Sequence, residues 1–183
     1  MGRPSNREQK RAEILQGFAQ ALADHGFAGA TISQIAIAAG ISPGLIHHHF
    51  DSKEELATCL VDLLMDRFRA RLAQARSADA QDGLEAYVDA ALKLDANADA
   101  IAAKCWVGLF AEALRNPSLF KKVRRMLEGE VAAVQRLSGY RLDERQASAI
   151  VAFVIGSLVF GAFAPRKAAG FAAPLLRKFI AAL

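Results

Sequence analysis

Three consecutive histidines, His47, His48 and His49, are the densest chemistry in this chain of 183 residues, and the first chemistry they suggest is metal binding. Their spacing argues against it. Neighbouring residues of a helix point about 100° apart, so three in a row cannot converge on one ion, whereas residues four apart can. Cys59 and Cys105 lack the close spacing of a thiolate site, and both read as small buried hydrophobes in a reducing compartment. No phosphate-binding glycine loop, nucleophile elbow, HExxH or CxxC pattern occurs, which leaves an enzyme, a resident metal or a cofactor without a basis. What remains is contact with a polyanion. His47 and His48 would lie on a free helix face with Pro43, Gly44 and Leu45, while His49 turns inward beside Phe50. Histidine titrates near neutrality, so such contact is expected to tighten as pH falls from about 8 to 6.

These side chains need short, sharply turned elements to present them. Thr31 followed by Gln34 is a capping-box pair that opens a helix, and Gly40 closes it in the left-handed conformation. Ser42 then offers an N-cap oxygen, Pro43 suits the first helical position, and Ile41 can staple onto Ile46. Ile35, Ala36, Ala39, Ile41, Ile46 and Phe50 fall on the faces two crossed helices would bury. The result is a helix-turn-helix, which lays its second helix in the DNA major groove. Ser52 with Glu55 is another box, launching a long helix whose first-turn Lys53 and unpaired N–H groups suit a phosphate. Upstream, Ser5 with Glu8 caps a helix that carries Ile14, Leu15, Phe18 and Leu22 until His25-Gly26 stops it. Arg3, Arg7, Lys10 and Arg11 against Glu8 give residues 1–11 a charge of +3 (four cations less one acid). That arm suits a phosphate backbone or a minor groove, or is an ordinary solvated terminus.

Residues 31–56, TISQIAIAAGISPGLIHHHFDSKEEL, resemble the DNA-binding module of the TetR-type regulators at Thr31, Ala39, Gly40, Ile41, Ser42, Gly44, His48, His49, Phe50, Ser52 and Lys53. Leu45 stands where that family often has a small hydroxyl residue, and His47 where it usually has a phosphate-binding tyrosine. The resemblance implies a helix-turn-helix DNA-binding domain over residues 1–50 and a helical effector-binding and dimerisation domain over 51–183. It further implies a cytoplasmic homodimeric repressor of an inverted-repeat operator in double-stranded DNA, released by a small-molecule effector. The basic arm, the free helix face and the matched positions together give the expected DNA contacts as Arg3, Arg7, Thr31, Ser42, Pro43, Gly44, Leu45, His47, His48 and Lys53. In that family the last two long helices of each protomer form a four-helix dimer interface. Here those are residues 143–164 and 170–183, which places Val151, Ile155, Leu158 and Phe179 in it. The stretch CWVGLFAEALRNPSLF is similar to the choline-responsive, BetI-like branch.

Composition agrees with an all-α fold of about nine helices: 53% of residues are hydrophobic, alanine is abundant, and alternating β-branched runs are missing. A net charge of only +4 says little about nucleic acid, so the placement of charge matters more. The helix from Ser52 runs through Leu56, Leu60, Leu64, Phe68 and Leu72 with no linker, and Asp82 with Glu85 opens the next, through Lys93. Residues 95–100 interrupt, and a Trp106-centred helix then runs to Arg115. Asn116-Pro117 restarts the chain until Ser138-Gly139. Asp143 with Gln146 caps a helix that stops at Pro165, and a last one covers about 170–183. Residues 149–164 carry no charge over sixteen positions, which is short of the roughly 20 needed to span a bilayer. A buried helix with a partner surface is therefore expected rather than a membrane span. Tyr87, Trp106, Phe110, Phe153 and Phe160 are either core or the lining of an effector pocket, with Asp89 and Glu112 as candidate acids. Two other readings remain: the same fold regulated by a protein partner, and a membrane-associated helical protein using residues 149–164.

Overall fold

The computed structural model describes residues 6–79, 82–92 and 98–183, so the expectations for Arg3, Ser5, Lys93 and residues 95–97 lie outside the described residues. Within them are nine α-helices and no strand: α1 (Asn6–Gly29), α2 (Ile32–Ala39), α3 (Pro43–His49), α4 (Lys53–Asp79), α5 (Gly83–Leu92), α6 (Ala98–Ala113), α7 (Pro117–Leu137), α8 (Glu144–Phe163) and α9 (Pro165–Ala181).

Local chemistry accounts for most boundaries. Thr31 Oγ1 accepts the Gln34 N–H at 3.2 Å. The reciprocal half of that box is replaced, because the Thr31 N–H donates instead to the Gly29 carbonyl at 2.8 Å. Gly40, at φ 66°, closes α2 with its N–H on the Ala36 and Ile37 carbonyls. Ser42 occupies the N-cap position of α3 without a capping bond from its hydroxyl, and Pro43 follows it. At α4 the Ser52 hydroxyl accepts the Glu55 N–H at 3.1 Å, while the Glu55 carboxylate reaches one residue further than expected, to the Asp51 N–H at 2.8 Å. Asn116 caps α7, and Asp143 with Gln146 forms the complete box at α8. The expected start of the last helix near residue 170 is corrected to Pro165. Proline takes the first helical position there, and a second proline, Pro174, is accommodated inside the helix on an exposed face.

The first three helices cross tightly. A Cβ on Gly17 of α1 would lie 2.6 Å from Ala39 Cβ, 2.8 Å from Ala39 N and 2.9 Å from the Ile35 carbonyl oxygen. Ile14, Phe18, Leu22, Ile35, Ile46 and Phe50 form a core that continues through Leu56 and Leu60 into Cys105, Trp106, Leu109 and Leu119. The apolar interior thus does not divide at residue 50. Helix α6 lies along α1, where the Cys105 thiol donates to the Ala19 carbonyl at 3.3 Å. Gly108 lets Leu22 Cδ1 come within 2.9 Å of where a side chain would begin. A second cluster joins Tyr87, Val88, Val134, Ile150 and Leu176 across α5, α7, α8 and α9. Arg177 of α9 is tied to Glu85 at 2.7 Å and to Asp89 on α5.

Candidate nucleic-acid interface and effector cavity

Helix α3 buries one side and offers the other to solvent. Ile46, His49 and Phe50 are buried, whereas Ser42, Pro43, Gly44, His47 and His48 are exposed and Leu45 is half-buried. The turn that fixes this orientation is the left-handed Gly40 followed by half-buried Ile41, which packs against the core beside Ile46. Thr31, exposed at the start of α2, and Arg7, exposed on α1, lie outside the core as well.

Two basic residues of the expected arm do other work. Arg11 sends one guanidinium nitrogen to the His49 carbonyl and another to Glu55 Oε1 at 3.0 Å and Cys59 Sγ at 3.5 Å. It also lies over the Phe50 ring, 4.0 Å from the centroid. Arg11 therefore clamps the end of α3 to the start of α4, a role that sequence reading missed because the partners are 38 to 48 residues away. Lys10 pairs with Glu13 at 2.6 Å. Cys59 is half-buried rather than buried, in contact with this clamp. Lys53 is engaged within the fold as well: its ammonium donates to the Phe27 carbonyl at 2.8 Å and sits over the Phe27 ring, pinning α4 to the end of α1.

His49, 8% exposed, carries a buried Nδ1 without a hydrogen-bond partner among the described residues. Burial, with the neighbouring charges of His48, Arg7, Arg11 and Lys10, holds its pKa below the ordinary value. The folded protein thus favours the neutral ring, and below about pH 6.5 the unfolded chain binds more protons. The stability contributed by His49 is complete above that pH and is lost as pH falls toward the lowered folded value. Denaturant unfolding at pH 7 and pH 5.5 should show a smaller loss in His49→Gln than in the wild type. Equal losses would remove His49 as the cause.

A cavity of about 130 Å³ lies among α4, α5, α6, α7 and α8. Trp106 and Phe110 of α6 stack at 5.5 Å on its wall, and Phe68 meets Tyr87 edge-on at 5.4 Å. The Tyr87 hydroxyl donates to Glu130 Oε2 at 3.3 Å, and burial pushes both groups above their ordinary pKa values. Arg67 and Arg71 of α4 complete the polar lining. Burial also pushes the Cys105 thiol, behind this wall, up to about 12. Among the five expected aromatics, Tyr87, Trp106 and Phe110 line the cavity, whereas Phe153 packs into the second core cluster and exposed Phe160 meets Phe171 at 5.5 Å.

The expected interface residues Val151, Ile155 and Leu158 instead line the cavity, while Phe179 is exposed. Helix α8 is rotated relative to the expectation. It is apolar on every side, so its pattern carries no phase from which to choose an inner face. Its outward stripe is Ala149, Ala152, Gly156, Phe160 and Phe163, the last 81% exposed. By length and composition α8 is sufficient to cross a membrane, and it packs here against α6, α7 and α9. The expected acids are displaced too: Asp89 is held by Arg177 and neither it nor Glu112 lines the cavity. Glu130 was legible, as the one acid on the apolar stripe of α7 that runs through Val123, Leu127 and Val134.

Residues 14–58 match the family described as bacterial regulatory proteins, tetR family. The HTH-type transcriptional regulator BetI of Rhizobium meliloti (strain 1021) is 30% identical over 120 residues, 64% of this chain; the chain spans only 57% of that relative's length. The regulator of the same name from Paraburkholderia phytofirmans is 27% identical over 163 residues, 85% of this chain and 83% of the relative. Among solved structures, a transcriptional regulator from Rhodococcus sp. Rha1 superposes with a TM-score of 0.81 at 24% identity, over 93% of this chain and 94% of the other. FadR from Bacillus subtilis in complex with stearoyl-CoA gives 0.74 at 19%, over 94% and 98%. A regulator from Saccharomonospora viridis in complex with choline gives 0.72 at 21%, over 94% and 96%. At these identities the superpositions establish the shared fold.

Proposed function

The chain belongs to the TetR-type family of bacterial regulatory proteins, and from that premise we propose that it is a cytoplasmic, homodimeric transcriptional repressor released from its operator when a small molecule fills the cavity among α4 to α8. The observation that carries this reading is α3 itself. Its first two turns offer Ser42, Gly44, His47 and His48 to solvent while Ile46 and Phe50 anchor it from behind. Proline at the start and a free Ser42 hydroxyl leave that end open to phosphate and base edges. Arg7 would add a backbone contact, and Lys53 would add one through the donors that Phe27 does not use.

A two-fold dimer supplies two such helices and calls for an inverted-repeat operator. The outward stripe of α8, with exposed Phe179 and Leu175 on α9, is the surface assigned to that contact. Coupling would run through α6, which presents Trp106 and Phe110 to the cavity and Cys105 and Gly108 to α1. A ligand that favours one placement of α6 shifts the head by its differential affinity for the two states. Support for a ligand-driven switch comes from the solved relatives of this fold, which hold molecules as different as stearoyl-CoA and choline.

Selection of bound sites from a random DNA pool tests the reading: palindromes are the expected product, and recovery of non-repeated sites would reject the two-fold assembly. With the selected operator, His47→Gln combined with His48→Gln should weaken binding and reduce the salt dependence by about one to two phosphate contacts. Identical affinity and salt profiles in the two proteins would remove these histidines from the interface. The apolar cavity favours a small-molecule effector over a docked protein regulator, and a screen for compounds that raise the melting temperature and displace the operator distinguishes them.

A further inference from the structure

Helix α3 carries no side chain able to fork onto a base, and we infer that the operator half-site is read through thymine methyl groups, with Leu45 packing against one of them. This rests on the DNA-binding reading above and names the feature of the DNA that it recognises. The helix is Pro-Gly-Leu-Ile-His-His-His. It holds no arginine, lysine, asparagine or glutamine, the residues that pair bidentately with guanine or adenine in the major groove. Its histidines do not replace them. The two nitrogens of an imidazole ring diverge, so His47 and His48 each offer one bond to a base edge or a phosphate rather than a fork. Arg7, Thr31 and Lys53 lie off this helix and suit the sugar-phosphate backbone, which positions without specifying.

Successive helical residues turn by about 100°, which places Gly44 opposite the buried side made by Ile46, His49 and Phe50. Leu45 and His48 lie on one flank of Gly44, Pro43 and His47 on the other. A Cβ at Gly44 would meet nothing within 4 Å, so packing inside the protein does not require that position to be bare. The bare centre instead lets the backbone come close to the base edges. Leu45 is half-buried and belongs to neither apolar cluster, unlike Ile41 and Ile46 beside it. A leucine outside the core on the flank of a groove-facing helix has one apolar partner there, the C5-methyl group of thymine. Covering that methyl removes apolar surface from water on both sides and needs no hydrogen bond.

The operator recovered by selection is resynthesised with deoxyuridine in place of thymidine, one symmetry-related pair of positions at a time. The change removes the methyl and leaves base pairing intact. Anisotropy titrations with the full-length protein should find at least one position in each half-site where the paired substitution weakens binding about tenfold. There 5-bromodeoxyuridine, whose bromine fills the volume of the methyl, should restore affinity. In Leu45→Ala the same position should respond less than about twofold, while Leu45→Met, which keeps a long apolar side chain, should retain the response. Melting temperatures establish that both variants are folded; if the alanine variant is not, the wild-type scan and Leu45→Met carry the test. Equal affinity for thymidine and deoxyuridine at every position, or a half-site without thymine, would overturn the inference and leave the DNA-binding reading standing. An undiminished deoxyuridine response in folded Leu45→Ala, or its loss in Leu45→Met, would overturn the assignment to Leu45. If selection yields no bound site, the inference falls together with the DNA-binding reading.

Discussion

Gly17→Ala is expected to destabilise the protein by about 3 kcal/mol or more and to abolish operator binding at temperatures where the wild type binds fully. The added methyl would meet Ala39 Cβ at 2.6 Å, and behind it two backbone atoms, Ala39 N at 2.8 Å and the Ile35 carbonyl oxygen at 2.9 Å. No flexible side-chain end is available to give way, so α2 must move off α1. That movement takes with it the turn at Gly40 that orients α3. Denaturant unfolding reads the loss directly, and hydrogen exchange should locate it in α1 to α3. Gly44→Ala is the informative contrast. A Cβ added at Gly44 would meet nothing within 4 Å, so alanine there should leave stability equal or raise it by about 0.5 kcal/mol while obstructing the DNA-facing surface. If Gly17→Ala unfolds at the wild-type denaturant concentration, the crossing is looser than these distances state.

Arg11→Met is the second large effect, with an expected loss of about 2 kcal/mol and at least tenfold weaker operator binding. Methionine keeps the aliphatic stem but leaves the His49 carbonyl and Glu55 without the guanidinium and removes the cation from the Phe50 ring. Both partners of the Arg11–Glu55 pair retain about a third of their exposure, so solvent reduces the ionic part and the figure rests mainly on the carbonyl and ring contacts. Because the clamp holds the C-terminal end of α3, base preference should be unchanged while affinity falls. Anisotropy titrations on the selected operator and single-base variants check this. Affinity equal to the wild type under conditions where both proteins are folded would confine Arg11 to stability.

Most of the DNA-binding head was legible because its signals are local. Thr31, Gly40, Pro43 and Ser52 each act within four residues, and the structure uses each at the expected boundary, as it does Asn116 at the start of α7. Most of the misassignments share one physical source, contacts set by tertiary packing. Arg11 read as a cation free for phosphate, yet its acceptors lie 38 to 48 residues away, and the carbonyl that Lys53 holds lies 26 residues away. On α8 an unbroken apolar run hid which side faces the cavity, so interface and lining residues were exchanged. Gly17 gave half a signal: a glycine in mid-helix shows that something approaches closely, and only the crossing shows what. The Pro165 boundary was misplaced because proline both ends one helix and begins another, and the sequence reading credited it only with ending one.

Helix α6 is one wall with two faces, cavity on one and α1 on the other, and this bears on how such proteins can be taken apart. Residues 1–50 transplanted onto a foreign sensor should lose stability, because part of their core is supplied from outside. Ala19 and Leu22 would lose the cover that Cys105, Gly108 and Leu109 give them. A working hybrid must carry a matching strip of the recipient's sixth helix, re-cut to receive the first.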